Sequence, residues 1–526
     1  MKMTTAQNGH SEAVQILVYA KAALDVKNDR GFNSLHDAAQ HGRSDVVQIL
    51  VDAKATVDIE NLFGKTPLHV AVKGGHSGVM QVLIAAKANL DAQDNRGSTP
   101  LHRAVICNQY FAVQELVASE ATVEARDQGG FTPLQRAARN NLGNMVQFLI
   151  ESHASFDTGG DQNTSLLLSA AATGDIALME SLFEKKVTIN ASDDAVGATP
   201  LHLAAMCGRG DAVQMLLDAN ATVDARDHHY RTPLFISAAR GDGDTVKVLV
   251  DAKADIEGKN GEAATPLSVA ARIGQHRVVR TLIDLKAHVD AKNEHGITPL
   301  HNAASWSGDC ETVHLLLDAK AAINSKTNFG ETPLSFAATY GHTGVSQVLV
   351  DAKATIDVKD GYGRTPLHMA AMRGHSDNVQ VLADAKAAVD TRDYRGYIAL
   401  LLAAERGYTD TVKVLVNAGA LIENRGAHDF TALYWAAMKG RNVTVQALVE
   451  AKANIDVKVE ESNTPLHAAA QRGHGSTVRL LMDAHATVDV ENISTHTPLH
   501  VAAMYGQVRA IRSLLEHPYF RDHRAS

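Results

Sequence analysis

One motif returning on a fixed period constrains this chain more than any other feature. Thr-Pro-Leu-His begins at Thr66, Thr99, Thr199, Thr298, Thr365, Thr464 and Thr497. Near-copies begin at Asn33, Thr132, Ser165, Thr232, Thr265, Thr332, Ile398 and Thr431. Successive starts lie 33 residues apart, except for steps of 34 from Ser165 to Thr199 and from Thr298 to Thr332. One extra residue sits near Ala195–Ala198, in a loop, and the other around Ser305-Trp306-Ser307, where a helix should end. A period of this length signals a repeat architecture, in which each supersecondary unit buries its apolar face only against its neighbours.

The repeat beginning at Thr232 shows why each one folds. Thr232 is a natural N-cap and Pro233 a natural first helical residue, because its missing N–H would be unpaired there in any case. A short helix runs through Ser237-Ala238-Ala239 and Gly241 ends it. A second helix carries Val246, Leu249 and Val250 at i, i+3 and i+4, one apolar face. Ala254-Asp255-Ile256-Glu257 then continues as an extended segment into a turn. Aromatics are only 5% of residues and Ala pairs are frequent, so close helix packing through small contacts is expected.

These residues resemble the ankyrin repeat, whose pattern is Thr-Pro-Leu-His-x-Ala-Ala-x-x-Gly-His, a Leu-rich helix and a hairpin loop. The resemblance covers essentially the whole chain and implies an all-α solenoid of antiparallel helix pairs with short hairpin loops. It implies one continuous array over 1–526, with a partial first repeat at 1–32, repeats at 33–496 and a terminal repeat at 497–526. Three departures stand out. Gly9-His10 occupies the Gly-His position, so only Met1–Asn8 is left for the first helix and the chain reads as a fragment or truncated product. Lys21, Lys54, Lys87, Lys253, Lys286, Lys353, Lys386 and Lys452 stand where the family has Gly after the second helix, while Gly419 keeps it. Residues 105–198 are degenerate: Asn108 and Asn141 replace the helix-ending Gly, Ser165-Leu166-Leu167-Leu168 replaces Thr-Pro-Leu-His, and Gly159-Gly160 loosens a loop. The weakest stacking is expected there.

The formal net charge of −9 disfavours nucleic acid, which needs a basic face. Cys107, Cys207 and Cys310 are too far apart for a disulfide framework or metal spacing and read as reduced thiols. No signal-peptide core follows Met1, and the apolar run Leu400-Leu401-Leu402-Ala403-Ala404 stops at Glu405, so the expectation is a cytoplasmic chain without membrane insertion.

Histidine is plentiful, at 26 residues, but repetition argues for structure, since a catalytic group is needed once. His36, His69, His102, His202, His301, His368, His467 and His500 close the motif, and the resemblance implies imidazole bonds to backbone groups between adjacent turns. His10, His76, His342, His375 and His474 follow the helix-ending Gly. The pair His228-His229 lacks ligands at a recognisable spacing and reads as a hairpin tip. No phosphate loop, His-Glu-x-x-His or Gly-x-Ser-x-Gly occurs. The chain therefore reads as a non-enzyme, with no cofactor and no metal.

Variable positions carry the binding reading. The position before the helix-ending Gly holds Arg373, Arg406, Lys439 and Arg472, a row of cations about 10 Å apart if repeats stack. Nearby tips are aromatic, with Phe329, Tyr362, Tyr394, Tyr397 and Phe430, and Tyr340 and Tyr505 extend the row at either end. Arg and Tyr are enriched at interfaces. Trp306 and Trp435 read as packing residues, although the extra residue beside Trp306 could turn that ring outward. The expectation is a monomeric protein-binding scaffold or adaptor for a partner with an acidic segment. The alternative is a recognition arm or fragment of a larger enzyme, channel or delivered effector.

Overall fold

A computed structural model describes residues 6, 9–140, 142–155, 162–194, 196–426 and 429–516. Met1–Asn8 apart from Ala6, Asn141, the Gly159-Gly160 pair and Ala195 lie outside the described residues. The described elements are helical, and the chain divides into two compact halves, Met1–Gly261 and Glu262–Ser526.

In the C-terminal half the repeat from Thr365 shows the construction. Thr365 is extended (φ −89°, ψ 168°), Pro366 opens the helix Pro366–Arg373, and Gly374 ends it in the left-handed region at φ 78°. The second helix, Ser376–Asp384, buries Asn378, Val379 and Leu382. The Thr365 backbone N–H donates to His368 Nδ1 (3.2 Å), so the ring proton sits on Nε2, which donates to the Tyr397 carbonyl (3.1 Å) one repeat ahead. His375 Nε2 donates backward to the Thr339 carbonyl at 3.1 Å. Each such repeat is thus pinned forward by one imidazole and backward by another. His342 and His474 make the same backward bond, to the Ser305 and Met438 carbonyls; where Arg441 stands in place of His, its Nε donates to the equivalent backbone carbonyl, that of Glu405 (3.3 Å).

Leu367, Ala370, Ala371, Val379 and Leu382 are at most 1% exposed. Burying each of the two Leu side chains contributes about 1.5–3 kcal/mol, while the Ala pair lets neighbouring first helices approach. The lysines expected after the second helices do adopt the left-handed conformation, with Lys353 at φ 67°, Lys386 at 65° and Lys452 at 67°; Lys186 (56°) and Lys320 (66°) join them. Gly419, at φ 87°, is the glycine counterpart.

The N-terminal half builds the same pairs, with His69 donating forward to Ser98 (2.9 Å) and His76 backward to Gln40 (3.0 Å). Its pattern changes between 132 and 231. Gln162–Thr173 has 12 residues and lacks the opening Pro of its neighbours. It packs on Pro200–Cys207, and Gly143–Glu151 packs on both of these helices. Gln135 Nε2 donates to Asp193 (3.2 Å), and Arg231 Nη1 to the Arg139 carbonyl (3.0 Å), 92 residues away. Gly143 is required here, because a Cβ would lie 2.4 Å from the Met206 carbonyl oxygen.

The two extra residues are absorbed differently. At the first, Val196 and Gly197 fold back on Asp193: its side chain accepts the Val196 N–H (2.8 Å), its carbonyl accepts the Gly197 N–H (2.7 Å), and Val196 is buried. At the second site Pro299–Asn302 runs into a π-helical turn, Ala303–Ser307, closed by Gly308 at φ 60°.

Candidate binding surface

The helix Pro366–Arg373 ends in Arg373, Ala399–Arg406 in Arg406, and Ala432–Met438 and Pro465–Gln471 are capped by Lys439 and Arg472. Consecutive first helices pack side by side, so these four cations form a row at helix C-termini, where positive charge is favoured. All four are exposed. Glu405 lies 3.8 Å from Arg406 and 3.7 Å from Lys439, so one carboxylate is shared by the middle of the row.

Tyr397 joins the tips to this row. Burial pushes its hydroxyl above the usual range, with Glu405 and Asp393 adding to the rise and Arg395 and Arg406 opposing it. Its ring stacks at 6.1 Å on Trp435, which also carries Lys439 Nζ 5.6 Å above its face. Phe430 packs against Tyr434 (4.4 Å) and Trp435 (5.3 Å) and is half-buried, so it supports the surface rather than projecting from it. Burial pushes the Tyr434 hydroxyl up to about 12, with the Glu461 carboxylate also raising it and the Arg472 guanidinium opposing the rise.

The remaining tips are exposed: Phe329 by 60%, Tyr362 by 56% and Tyr394 by 73%. Main-chain bonds tie them in sequence, from the Gly361 N–H to the Phe329 carbonyl (2.7 Å) and from the Tyr394 N–H to the Tyr362 carbonyl (3.0 Å). Arg364 is held by Asp360 (2.8 Å) and lies 4.5 Å over the Tyr362 ring. Tyr340 and Tyr505 are exposed at the helix ends.

Trp435 is the packing residue expected, 8% exposed; Trp306 is not, at 67%. The π turn swings its ring outward, beside Tyr340 at 6.1 Å. The sequence reading offers this outward turn as the consequence of the extra residue, but it misses Ile273, which ends the helix Pro266–Ile273 and is 47% exposed. The signal for Ile273 was available, since it holds the same position before a helix-ending Gly as Arg373.

The motif histidines are structural in geometry. Burial lowers His301 to about 4, with the Glu331 carbonyl bond opposing; burial also holds His368 below its ordinary value, with the Tyr397 carbonyl bond opposing. Burial also pushes the Cys207 thiol up to about 11, which makes it a poor nucleophile. Among the described residues no group of three His, Cys, Asp or Glu side chains is arranged to hold a metal ion. No helix among them is long and apolar enough to cross a membrane.

A model of ankyrin repeats, three copies per match, fits residues 2–61, 55–127, 86–159, 134–227, 166–260, 234–327, 300–393, 385–460 and 444–523. The chain belongs to the ankyrin repeat family. Ankyrin repeats are generally protein-interaction modules, which agrees with an exposed surface of Arg, Tyr and Trp at the helix ends. No curated protein matches the chain.

Proposed function

We propose that this ankyrin-repeat protein is a scaffold or adaptor whose C-terminal half grips a partner protein through an acidic segment. The observation that carries the reading is the exposed row Arg373, Arg406, Lys439 and Arg472, with Tyr397 beside it and Tyr340 and Tyr505 at its ends. Stacked helices hold these side chains in place before the partner arrives, so little ordering entropy is lost on binding. The row supplies charge complementarity, which sets specificity and association rate more than raw affinity.

The chain acts in this reading as a monomer in a reducing, intracellular compartment, supported by the free thiols of Cys107, Cys207 and Cys310. It has no catalytic role of its own in this reading, in line with buried, backbone-bonded imidazoles such as His301 and His368.

Affinity capture with the full chain and with its Arg373→Glu/Arg406→Glu/Arg472→Glu version tests the proposal. Partners held by the first are expected to be lost from the second at unchanged circular dichroism. Equal retention by both would remove the row from the binding surface.

A further inference from the structure

The position that carries the cations continues beyond them, with a different chemistry. Going toward the N-terminus from Arg373, it holds Tyr340, then the displaced Trp306, then Ile273. These three are 47%, 67% and 47% exposed. The π turn packs against both Pro266–Ile273 and Pro333–Tyr340, so the three apolar side chains occupy adjacent helix ends. Exposed apolar side chains gathered at neighbouring helix ends beside a charged row mark a binding surface. The extra residue at Ala303–Ser307 is what places the largest ring there, and π turns of this kind are frequent at functional sites.

We propose that the surface is bipartite, with Trp306 as its anchor. Its ligand is an extended peptide segment of the partner that carries bulky apolar residues at one end and spaced carboxylates at the other. This deepens the proposed scaffold function and rests on it. The spacing follows from geometry. Helix pairs stack about 10 Å apart and an extended chain advances about 3.3 Å per residue, so every third ligand residue meets a new repeat. Ile273 to Arg472 then spans a segment of about 18 residues. The apolar end covers Ile273, Trp306 and Tyr340, and the carboxylates meet Arg373, Arg406, Lys439 and Arg472. A polyanion without apolar side chains satisfies the second half alone, and the formal net charge of −9 with Glu405 inside the row disfavours nucleic acid.

The test uses the full chain and fluorescein-labelled synthetic peptides of about 18 residues. One carries Leu and Phe at one end and Glu at every third position thereafter, made in both chain directions. A second keeps the Glu residues and has Ser in place of Leu and Phe. In fluorescence anisotropy the bipartite peptide, in one direction, is expected to bind about tenfold more tightly than the acidic one. Trp306→Ala removes that tenfold advantage and leaves the acidic peptide unchanged, whereas Trp306→Phe keeps most of it. The Arg373→Glu/Arg406→Glu variant weakens both peptides.

Equal binding of the two peptides, or Trp306→Ala behaving as wild type, overturns the bipartite site while leaving the cationic row standing. Charge reversal without effect on either peptide, or no binding by any peptide, overturns the row and the site together. Tighter binding of a single-stranded oligonucleotide than of the bipartite peptide overturns the ligand class. Concentration-dependent shielding of Trp306 from acrylamide, without peptide, assigns the patch to a second copy and overturns the proposal as well.

Discussion

Each half of the chain accommodates one extra residue, and the surroundings of the two sites differ sharply. In the stretch 298–340 the extra residue is confined to a single π turn, and the helices on either side still pack against it. His301 still donates forward to the Glu331 carbonyl (3.2 Å). In the stretch 132–231 the extra residue is also absorbed locally, but the motif has lost its Pro and His in Ser165–Leu168. There, side chains reach over the degenerate repeat, as Arg231 does to Arg139 and Gln135 to Asp193. Stacked repeats therefore tolerate an insertion well when the coupling groups remain, and change their contacts when those groups are lost.

Acid should have the largest effect on single repeats of the two stretches, through their buried motif histidines. His301 is held in its neutral form in the folded chain, its pKa lowered by burial from 6.5 to about 4. The unfolded chain binds the proton first, so the stabilisation is fully present above about 6.5 and is lost as pH falls toward 4. For this one group the change amounts to about 3 kcal/mol. The stretch 132–231 has Gln135 and Leu168 at two of its motif positions but keeps His202, whose pKa burial also lowers, so the penalty falls on its repeat at 199–231 and spares the two repeats before it. Gln135 already accepts the Thr132 N–H through Oε1 (2.9 Å), which makes His301→Gln a conservative probe. Urea unfolding at pH 7.5 and pH 4.5 is expected to show a smaller acid loss for the variant. An identical loss would place the acid sensitivity elsewhere.

Residue-resolved hydrogen exchange sharpens the comparison directly. Amides of Gln162–Thr173 and Ile176–Glu184 are expected to open with a free energy lower by roughly 1–3 kcal/mol than those of Pro333–Tyr340 and Thr343–Asp351. Equal protection would mean that the long-range bonds of Arg231 and Gln135 fully replace the missing imidazole coupling.

The left-handed lysines give a smaller effect that should be alike in both stretches. Lys186→Gly and Lys320→Gly each remove a Cβ from a strained conformation, a relief of about 1 kcal/mol. Part of it is offset by the greater freedom of Gly in the unfolded chain. The reverse change, Gly419→Lys, meets nothing within 4 Å of the new Cβ, so its expected loss of about 1 kcal/mol isolates backbone strain. No change in the thermal midpoint of Gly419→Lys would show that the lysine side chain compensates for the strain.

What could be read in the sequence was what is local. Thr365, Pro366 and Gly374 each act within one turn, so caps, helix starts and helix ends follow from residue type. The left-handed Lys353 was legible because alignment with Gly419 reveals the backbone need. Contacts between distant residues were not legible: Gly143 is needed because of the Met206 carbonyl, and no spacing announces that approach. The cationic row Arg373, Arg406, Lys439 and Arg472 could be read from the period alone. Its shared carboxylate, Glu405, became meaningful only once the geometry placed it within ion-pair distance of two cations, and Phe430 became a supporting residue only once Tyr434 and Trp435 lay against it.

The smallest expected effect concerns Trp306, and it separates the two ways in which an insertion can matter. If the π turn exists to preserve stacking, its tryptophan should contribute to stability, as a buried ring does. Its 67% exposure argues that the turn is carried by Ala303, Ala304 and Ser305, which are buried, and that the ring lies outside the packed core. Trp306→Ala is therefore expected to shift unfolding by no more than about 0.5 kcal/mol, despite removing the larger of the two rings in its contact with Tyr340. Thermal unfolding of the full chain checks this. A loss of several kcal/mol would mean that the indole braces the π turn, and the outward ring would then be a structural strut whose exposure has no bearing on binding.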